Sequence, residues 1–256
     1  MKLLMLAMIA AMTMAAPLLP VAARAQSCAP EDFEGARYIV CTVDPAHEQL
    51  RLFWRNAGGQ PYRSFSALAQ SPGGSGKTLR FAMNAGMYTT DFAPLGLYVE
   101  DGRELVHANT RESDHSSGPV PNFYKKPNGV FYLTADGAGV VTTDDFLANE
   151  RKVVFATQSG PLLVADGKLH PALIEGSTDR TRRSGVGVCE GGSVRFAASE
   201  GRVNFHEFAR FFRDGLGCPN ALFLDGGRGV GLYEPELGRN DFSWHGGYGP
   251  MFAVVQ

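Results

Sequence analysis

The sequence predicts an α+β fold, a strand-rich single domain with mixed or antiparallel sheets and a few short helices. The chain has 256 residues, of which 31 are glycine and 15 are proline. These residues interrupt regular structure, so their frequency indicates many short strands separated by turns. With 44% hydrophobic residues, the chain can bury one full core, although two small lobes remain an alternative.

The first half of the chain is predicted to be mostly strands. Alternating apolar and polar residues predict a strand pair, 38–43 and 47–54, joined at Asp44-Pro45. A short helix is expected over 62–70 and a strand over 79–83. Two hairpins are predicted around Asp-Gly turns: 95–99 with 104–107, and 129–134 with 138–142.

Helices are few in the second half. Thr143 or Asp144 can cap a short helix that ends near residue 150. The clearest helix covers 205–213, where apolar residues repeat at i, i+3, i+4 and i+7 and glycines follow. Its phenylalanines are predicted to lie in the core.

The first 25 residues carry the features of an export signal. Lys2 precedes an apolar run that ends at two prolines, and Ala23-Arg24-Ala25 forms an A-x-A cleavage site. A membrane anchor is the competing interpretation, but the apolar run is shorter than the ~20 residues that a spanning helix needs. We predict a signal over 1–25, a mature domain over 26–256, and a periplasmic or secreted protein with no stable membrane anchor after cleavage.

Four cysteines follow the signal, and an oxidising compartment makes disulfides their expected state. They are Cys28, Cys41, Cys189 and Cys218. Three pairings are possible, and we favour the sequence-local one, Cys28 with Cys41 and Cys189 with Cys218. No pair has C-x-x-C spacing, so the pattern does not favour a zinc or redox site.

Charge and motif spacing exclude several classes of function. The formal net charge is −2, which argues against bulk nucleic-acid binding. The six histidines show no H-E-x-x-H spacing, so neither a transition-metal site nor a cofactor is predicted. The segment 71–78 lacks the first glycine of a phosphate loop and is expected to be a surface loop.

A serine-hydrolase site is also disfavoured. Ser159 lacks the glycine two residues earlier that a G-x-S-x-G elbow requires. The run Asp114-His115-Ser116 is adjacent in sequence only, which says little about the geometry of a triad.

Four apolar runs end in polar residues that have glycine close by, as strands that deliver side chains to a cleft do. These residues are Asn84 before Gly86, Asn128, the pair Gln158-Ser159, and Asp225 before Gly226 and Gly227. Asn-Gly and Asp-Gly are also ordinary turn formers, so any single pair could be only a turn. Together the four ends predict one cleft, with Asp225 as the leading candidate for chemistry.

Other side chains are candidates for ligand contacts. Arg183 directly precedes an apolar strand, and an arginine fork matches phosphate or carboxylate geometry, although a solvated basic loop is the alternative for its neighbours. His245 is a possible acid or phosphate donor. Trp244 and Tyr248 could stack on a sugar, but core packing is the commoner role of such residues.

From Leu79 to its C-terminus the chain resembles the phosphodiester glycosidase family, which includes exported bacterial proteins. The motifs that carry the resemblance are Asn84-Ala-Gly-Met-Tyr88, Pro94-Leu-Gly96-Leu, Pro127-Asn-Gly-Val-Phe, Gln158-Ser-Gly-Pro-Leu, Arg183-Ser-Gly-Val-Gly187 and Ala221-Leu-Phe-Leu-Asp-Gly226. The resemblance implies a strand-rich domain that hydrolyses the bond between a sugar's anomeric carbon and a phosphodiester oxygen.

The resemblance also implies roles for the candidate residues. Asp225 would act at the anomeric carbon and Arg183 would hold the phosphate. The predicted substrate-binding residues are Asn84, Gly86, Asn128, Gln158, Ser159, Gly226 and Gly227. The partner would be a glycan or sugar phosphate in envelope or extracellular glycans, and a second carboxylate could be Asp91, Glu175 or Glu200.

One departure keeps a second function open. The family commonly has a serine shortly after Leu-Asp-Gly, but this chain has Arg228-Gly229-Val230. A non-catalytic carbohydrate- or peptidoglycan-binding domain of the same fold is therefore an alternative. A metal-dependent phosphodiesterase is a third hypothesis, which the ligand spacing does not favour.

Overall fold

The computed structural model of the chain describes residues 28–71, 78–113 and 118–256. Three segments discussed above lie wholly or mostly outside the described residues. They are the predicted signal over 1–25, the expected surface loop over 71–78 and the run Asp114-His115-Ser116. The strands of the described part are β1 Cys28–Phe33, β2 Ala36–Val43, β3 Gln49–Phe53, β4 Leu79–Asn84, β5 Tyr98–Glu100, β6 Arg103–Val106, β7 Gly129–Leu133, β8 Ala138–Thr142, β9 Phe155–Ser159, β10 Leu162–Ala165, β11 Lys168–Leu169, β12 Arg183–Val188, β13 Val194–Ser199, β14 Asn220–Gly226, β15 Leu232–Glu234, β16 Arg239–Asn240 and β17 Met251–Val255. The α-helices there are α1 Phe65–Ala69, α2 Thr143–Ala148 and α3 Phe205–Arg210.

The strands form three sheets, and the pairings within them are antiparallel. The first sheet has seven strands in the order β1-β2-β13-β12-β14-β10-β11. The second has the order β16-β15-β4-β17-β3 and the third β6-β5-β9-β7-β8. This architecture confirms the predicted strand-rich α+β class with few short helices.

The main core lies where the three sheets meet. Phe196 of the first sheet contacts Phe81 and Phe252 of the second, with ring centroids 5.5 and 4.9 Å apart. Phe131 of the third sheet packs edge-on against Phe252 at 5.3 Å. All four rings are fully buried, so burial of aromatic surface ties the sheets together.

Helix α3 covers the other face of the first sheet. It begins at a capping box formed by Asn204 and Glu207 and buries Phe208 and Phe212 with the turn that follows. A Cβ on Gly187 would lie 2.9 Å from the Phe212 ring, so glycine in β12 permits this close packing. The predicted helix over 205–213 is confirmed in position, but after Arg210 it continues as a wider π-type turn to Gly215.

Both predicted hairpins are confirmed as β5–β6 and β7–β8. The predicted pairing of strands 38–43 and 47–54 is wrong. β2 pairs with β1 and β13, whereas β3 pairs with β17 in another sheet. The reason is a tight turn at Glu34-Gly35, where both residues have positive φ, which folds β1 onto β2 and leaves no free edge for β3.

The sequence-local disulfide pairing is confirmed. Cys28 and Cys41 face each other across β1 and β2. Cys189, just after β12, is bonded to Cys218, just before β14. In the part of the chain that the structure describes, no helix is long and apolar enough to span a membrane.

Candidate active site

Strand β14 carries Asp225 to the end of the first sheet. Leu222 and Leu224 are fully buried on this strand. The Ser184 hydroxyl accepts a hydrogen bond from the Asp225 backbone N–H at 3.2 Å and donates one to the Asp225 carbonyl at 3.2 Å. The chain then turns at Gly227, whose φ of +60° is in the region that favours glycine. The backbone of Asp225 is therefore fixed from the neighbouring strand.

The Asp225 carboxyl is partly buried and only weakly compensated. Its Oδ1 atom accepts a hydrogen bond from the Gly226 N–H at 2.7 Å. Loss of solvation raises the pKa of this carboxyl from 3.8 to about 6, and the Gly226 hydrogen bond opposes the rise. Among the described residues, no lysine or arginine forms an ion pair with Asp225. Such a carboxyl changes charge close to neutral pH.

Asp225 opens into a cavity of about 550 Å³. The other lining residues come from the loop after β4 and from the loop before β17: Met87, Tyr88, Thr89, Thr90, Phe92, Leu95 and His245. This volume lies within the range of small-molecule sites. The lining of the cavity is partly apolar and also holds a few polar groups and the carboxyl of Asp225.

A hydrogen-bonded chain lines the same cavity as Asp225. The Tyr88 hydroxyl is 2.8 Å from His245 Nε2 and donates to the Gly247 carbonyl at 3.1 Å. The other His245 nitrogen, Nδ1, is 3.1 Å from the Ser243 hydroxyl. Burial and the Asp225 charge raise the pKa of Tyr88, so its hydroxyl stays protonated.

Arg63 holds the two loops of the cavity together. Its Nε and Nη2 atoms donate to the Gly246 carbonyl at 3.1 and 2.6 Å, and its guanidinium lies 4.2 Å from the centre of the Phe92 ring. Trp54 donates its indole N–H to the Phe92 carbonyl at 2.9 Å. The wall that carries Tyr88 and His245 is therefore positioned by contacts outside the cavity.

A family model described as phosphodiester glycosidase matches residues 77–251. The chain belongs to the phosphodiester glycosidase family. The uncharacterized protein YigE of Escherichia coli K12 is 34% identical over 185 residues, covering 72% of this chain and 70% of that protein. The family resemblance of the sequence motifs is thereby confirmed.

Solved structures share the fold of this phosphodiester glycosidase at low identity. The catalytic domain of zebrafish N-acetylglucosamine-1-phosphodiester alpha-N-acetylglucosaminidase, auto-inhibited by its pro-peptide, matches with a TM-score of 0.61 and 18% identity, over 89% of this chain and 81% of that one. A hypothetical protein from Synechocystis matches with a TM-score of 0.55 and 17% identity, over 89% and 61%. A putative exported protein from Burkholderia pseudomallei matches at 0.54 and 13%, over 86% and 74%.

Asn84 is linked to Asp225 through the Ser184 hydroxyl. It is fully buried, donates from Nδ2 to the Ser184 hydroxyl at 2.9 Å, and accepts from the Gly231 N–H at 3.1 Å. Ser184 in turn holds the Asp225 backbone. Asn84 thus joins β4 of the second sheet to β14 of the first, and its amide contacts protein groups.

Asn128 and Gln158 are joined through Thr143. The Thr143 hydroxyl donates to Asn128 Oδ1 at 2.9 Å and lies 3.2 Å from the Gln158 Nε2 donor. Gln158 Oε1 accepts from the backbone N–H groups of Leu97 and Asn109 at 3.0 and 2.8 Å. Both predicted residues are buried, and these bonds connect the third sheet to its loops.

Ser159 and Gly86 lie in the same buried layer. The Ser159 hydroxyl donates to the Leu224 carbonyl at 3.0 Å, one residue before Asp225. A Cβ on Gly86 would lie 2.4 Å from the Gln158 carbonyl oxygen, so the chain passes there only as glycine. The predicted strand ends do converge, but of the strand-end residues Asp225 alone lines the cavity; among the other candidates, His245 lines it too.

Arg183 is buried but does not line this cavity. Its Nε donates to the Val203 carbonyl and its Nη2 to the Asp179 carbonyl, each at 3.0 Å, and its guanidinium stacks 3.6 Å from the centre of the Phe205 ring. Burial lowers the pKa of Arg183. Side chains alternate along a strand, and Ser184 faces Asn84, so Arg183 faces α3 instead. These contacts do not provide the expected phosphate contact.

The three candidates for a second carboxylate lie in different places. Asp91 is exposed on the cavity loop and bonded to Thr89, which lowers its pKa. Glu200 is paired with Arg239 at 2.9 Å, and Glu175 is exposed. In the described ranges no three His, Cys, Asp or Glu residues are grouped to hold a metal ion.

Gly229 is one of the residues of the sequence departure after Leu-Asp-Gly, and it lies against Asp225. A Cβ on Gly229 would lie 2.0 Å from Asp225 Oδ2. A serine could therefore not occupy this position with the carboxyl where it stands. Sequence reasoning assigned no role to Tyr88, although this residue closes the motif Asn84-Ala-Gly-Met-Tyr88.

Proposed function

We propose that this protein is an exported hydrolase that cleaves the anomeric bond of a glycosyl phosphodiester in envelope or extracellular glycans. The observation that carries the proposal is the Asp225 carboxyl, which lines a 550 Å³ cavity and has a pKa raised to about 6. Family membership and the phosphodiester named in the zebrafish neighbour supply the substrate class.

The reaction breaks the bond between the anomeric carbon and the phosphate oxygen. The bonding electron pair leaves with the oxygen, and the products after addition of water are a free sugar and a phosphomonoester. Ionised Asp225 would attack the anomeric carbon, activate the water, or stabilise positive charge on the sugar. A phosphomonoester is a good leaving group, so one carboxylate suffices without a strong general acid.

Tyr88 and His245 would bind the substrate's oxygens. Both side chains line the cavity; to contact a substrate oxygen, Tyr88 would turn its hydroxyl proton away from the Gly247 carbonyl and His245 would exchange its contact with Tyr88 or Ser243. In this proposal Asn84, Asn128, Gln158, Ser159 and Arg183 position the strand ends rather than contact the substrate. Gly86 lets neighbouring backbone segments pack closely. Gly226 and Gly227 let the chain turn after Asp225.

Export is part of the proposal. Two disulfides and a putative exported protein among the structural neighbours support an oxidising location. The signal would be residues 1–25 and the mature domain 26–256, so N-terminal sequencing of the secreted or periplasmic protein tests the boundary. An intact Met1 in a membrane fraction would contradict it.

A non-catalytic glycan-binding domain is the second candidate, favoured by Arg228-Gly229 where the family commonly has serine. The test offers the mature protein N-acetylglucosamine joined through phosphate to a reporter alcohol. Asp225→Asn should lower turnover by about 10²–10⁴-fold, and Asp136→Asn, in the exposed turn after β7, should match the unmodified protein. Release of sugar 1-phosphate would refute the proposed bond cleavage. Binding without turnover in any form would favour the binding domain.

A further inference from the structure

Two large aromatic side chains stand in solvent beside the cavity. Phe242 and Trp244 are 68% and 80% exposed, and their rings meet edge-to-face with centroids 5.8 Å apart. Exposed aromatic surface of this kind is typical of binding sites. We call these two residues the aromatic pair.

The aromatic pair is continuous with the cavity. Ser243, between the two rings, is buried and bonded to His245, and His245 lines the cavity with Asp225. Arg63 fixes the next residue, Gly246, by two hydrogen bonds. The pair is therefore carried by a loop that is anchored on both the cavity side and the outer side.

Other aromatics of this region are used in packing. Tyr248 is buried and stacks on Phe65 at 4.6 Å, which places it in the core as the sequence analysis favoured. Trp54 is buried and gives its indole N–H to Phe92. Trp244 differs from these residues and from the expected core packing, because its ring is exposed and not part of the core.

We propose that the aromatic pair binds a further sugar ring of an oligosaccharide whose terminal anomeric phosphodiester lies at Asp225. This inference rests on the proposed function. The 550 Å³ cavity accommodates about one sugar and its phosphate, so a longer glycan has to pass over the rim. A pyranose presents C–H groups on one face, which suit the negative face of an aromatic ring, and the two perpendicular rings offer such a face and an edge.

Fluorescence gives a direct test that needs no turnover. The chain has two tryptophans, and Trp54 is buried whereas Trp244 is exposed. The mature protein is titrated with tetramers of N-acetylglucosamine, glucose, mannose and galactose. A saturable emission change with at least one tetramer, weaker with its monomer, is expected. It should disappear in Trp244→Ala and persist in Leu147→Ala, a change at an exposed apolar residue of α2.

Kinetics provides the second readout. The substrates are the reporter phosphodiesters of N-acetylglucosamine and of its tetramer. In Trp244→Ala and Phe242→Ala, the KM for the tetramer relative to that for the monomer should rise roughly 2- to 10-fold, the size of an aromatic contact. Leu147→Ala should leave this ratio unchanged.

The outcomes separate this inference from the proposed function. A tetramer-dependent emission change without hydrolysis of either substrate would keep the sugar site and refute the hydrolase. Hydrolysis with an unchanged KM ratio and no emission change with any tetramer would overturn the sugar site alone. Self-association or vesicle binding that is lost in Trp244→Ala, without a sugar response, would also overturn it.

Discussion

Replacing Asp225 by asparagine should remove activity and at the same time stabilise the protein. The folded-state pKa of Asp225 lies at about 6, above the ordinary 3.8. Between these two values the unfolded chain ionises while the folded carboxyl stays protonated, so stability falls as pH rises from about 4 to about 6. A pKa raised by this amount corresponds to about 3 kcal/mol at pH 7 and above, an upper value because the carboxyl is partly exposed.

Asparagine has nearly the same shape and cannot ionise. Its side-chain oxygen can still accept the Gly226 N–H bond. Asp225→Asn should therefore raise the free energy of unfolding by up to about 3 kcal/mol at pH 7.5, or roughly 6–12 °C in Tm for a domain of this size. At pH 3.5 the two proteins should differ little, because Asp225 is then protonated in the folded state and largely protonated in the unfolded state.

The assay is urea unfolding of the mature protein and of Asp225→Asn at pH 3.5, 5, 6 and 7.5, with the disulfides intact. Asp136→Asn is the control for loss of an exposed carboxyl, and its effect should stay within about 0.5 kcal/mol. A difference for Asp225→Asn that is the same at all four pH values would refute the reasoning from burial. A destabilisation that grows with pH would show that the ionised carboxyl is stabilised in the fold.

Three further predictions concern the cavity and its support. With Asp225 active as a carboxylate, kcat/KM for the reporter phosphodiester should rise with pH through a midpoint near 6, and a profile that falls through this range would assign Asp225 as an acid. Gly229→Ser should displace the Asp225 carboxyl, since a Cβ at this position lies 2.0 Å from Oδ2. It should lower kcat at least tenfold in a protein that circular dichroism shows to be folded, and an unchanged kcat would contradict the packing. Arg183→Met should cost about 1–3 kcal/mol in chemical denaturation because the carbonyls of Val203 and Asp179 lose their donor, while a selective rise in KM for the phosphodiester would restore the phosphate-binding role.

Local signals were sufficient to predict much of the fold. The Asp-Gly turns fix β5–β6 and β7–β8 because their geometry suits hairpins. The apolar run before Asp225 is a buried central strand. β1 was missed because it carries Pro30 and charged residues, as edge strands do, and its turn at Glu34 has no strong sequence signature.

The site was harder to predict because a polar side chain at a strand end can point to either face of its sheet. The sequence places Asn128 and Gln158 at converging ends, but nothing in it shows that Thr143 occupies their amides. Alternation predicts that Arg183 and Ser184 point to opposite faces, yet not which face holds the cavity. That choice depends on Asn84, which meets Ser184 from a different sheet, a contact between residues distant in sequence.

The buried amides explain why Asp225 can keep a raised pKa in an ordered site. Burying a polar group without partners is costly, and Asn84, Asn128 and Gln158 each meet this cost with hydrogen bonds inside the protein. They hold the strand ends rigid without placing a charge beside the carboxyl. Because residue 229 is glycine, no side chain occupies the space that Asp225 Oδ2 fills. The neutral network therefore supplies position, while burial, opposed by the Gly226 hydrogen bond, sets the pKa of Asp225, and the two can be varied separately by Asn84→Ser and Asp225→Asn.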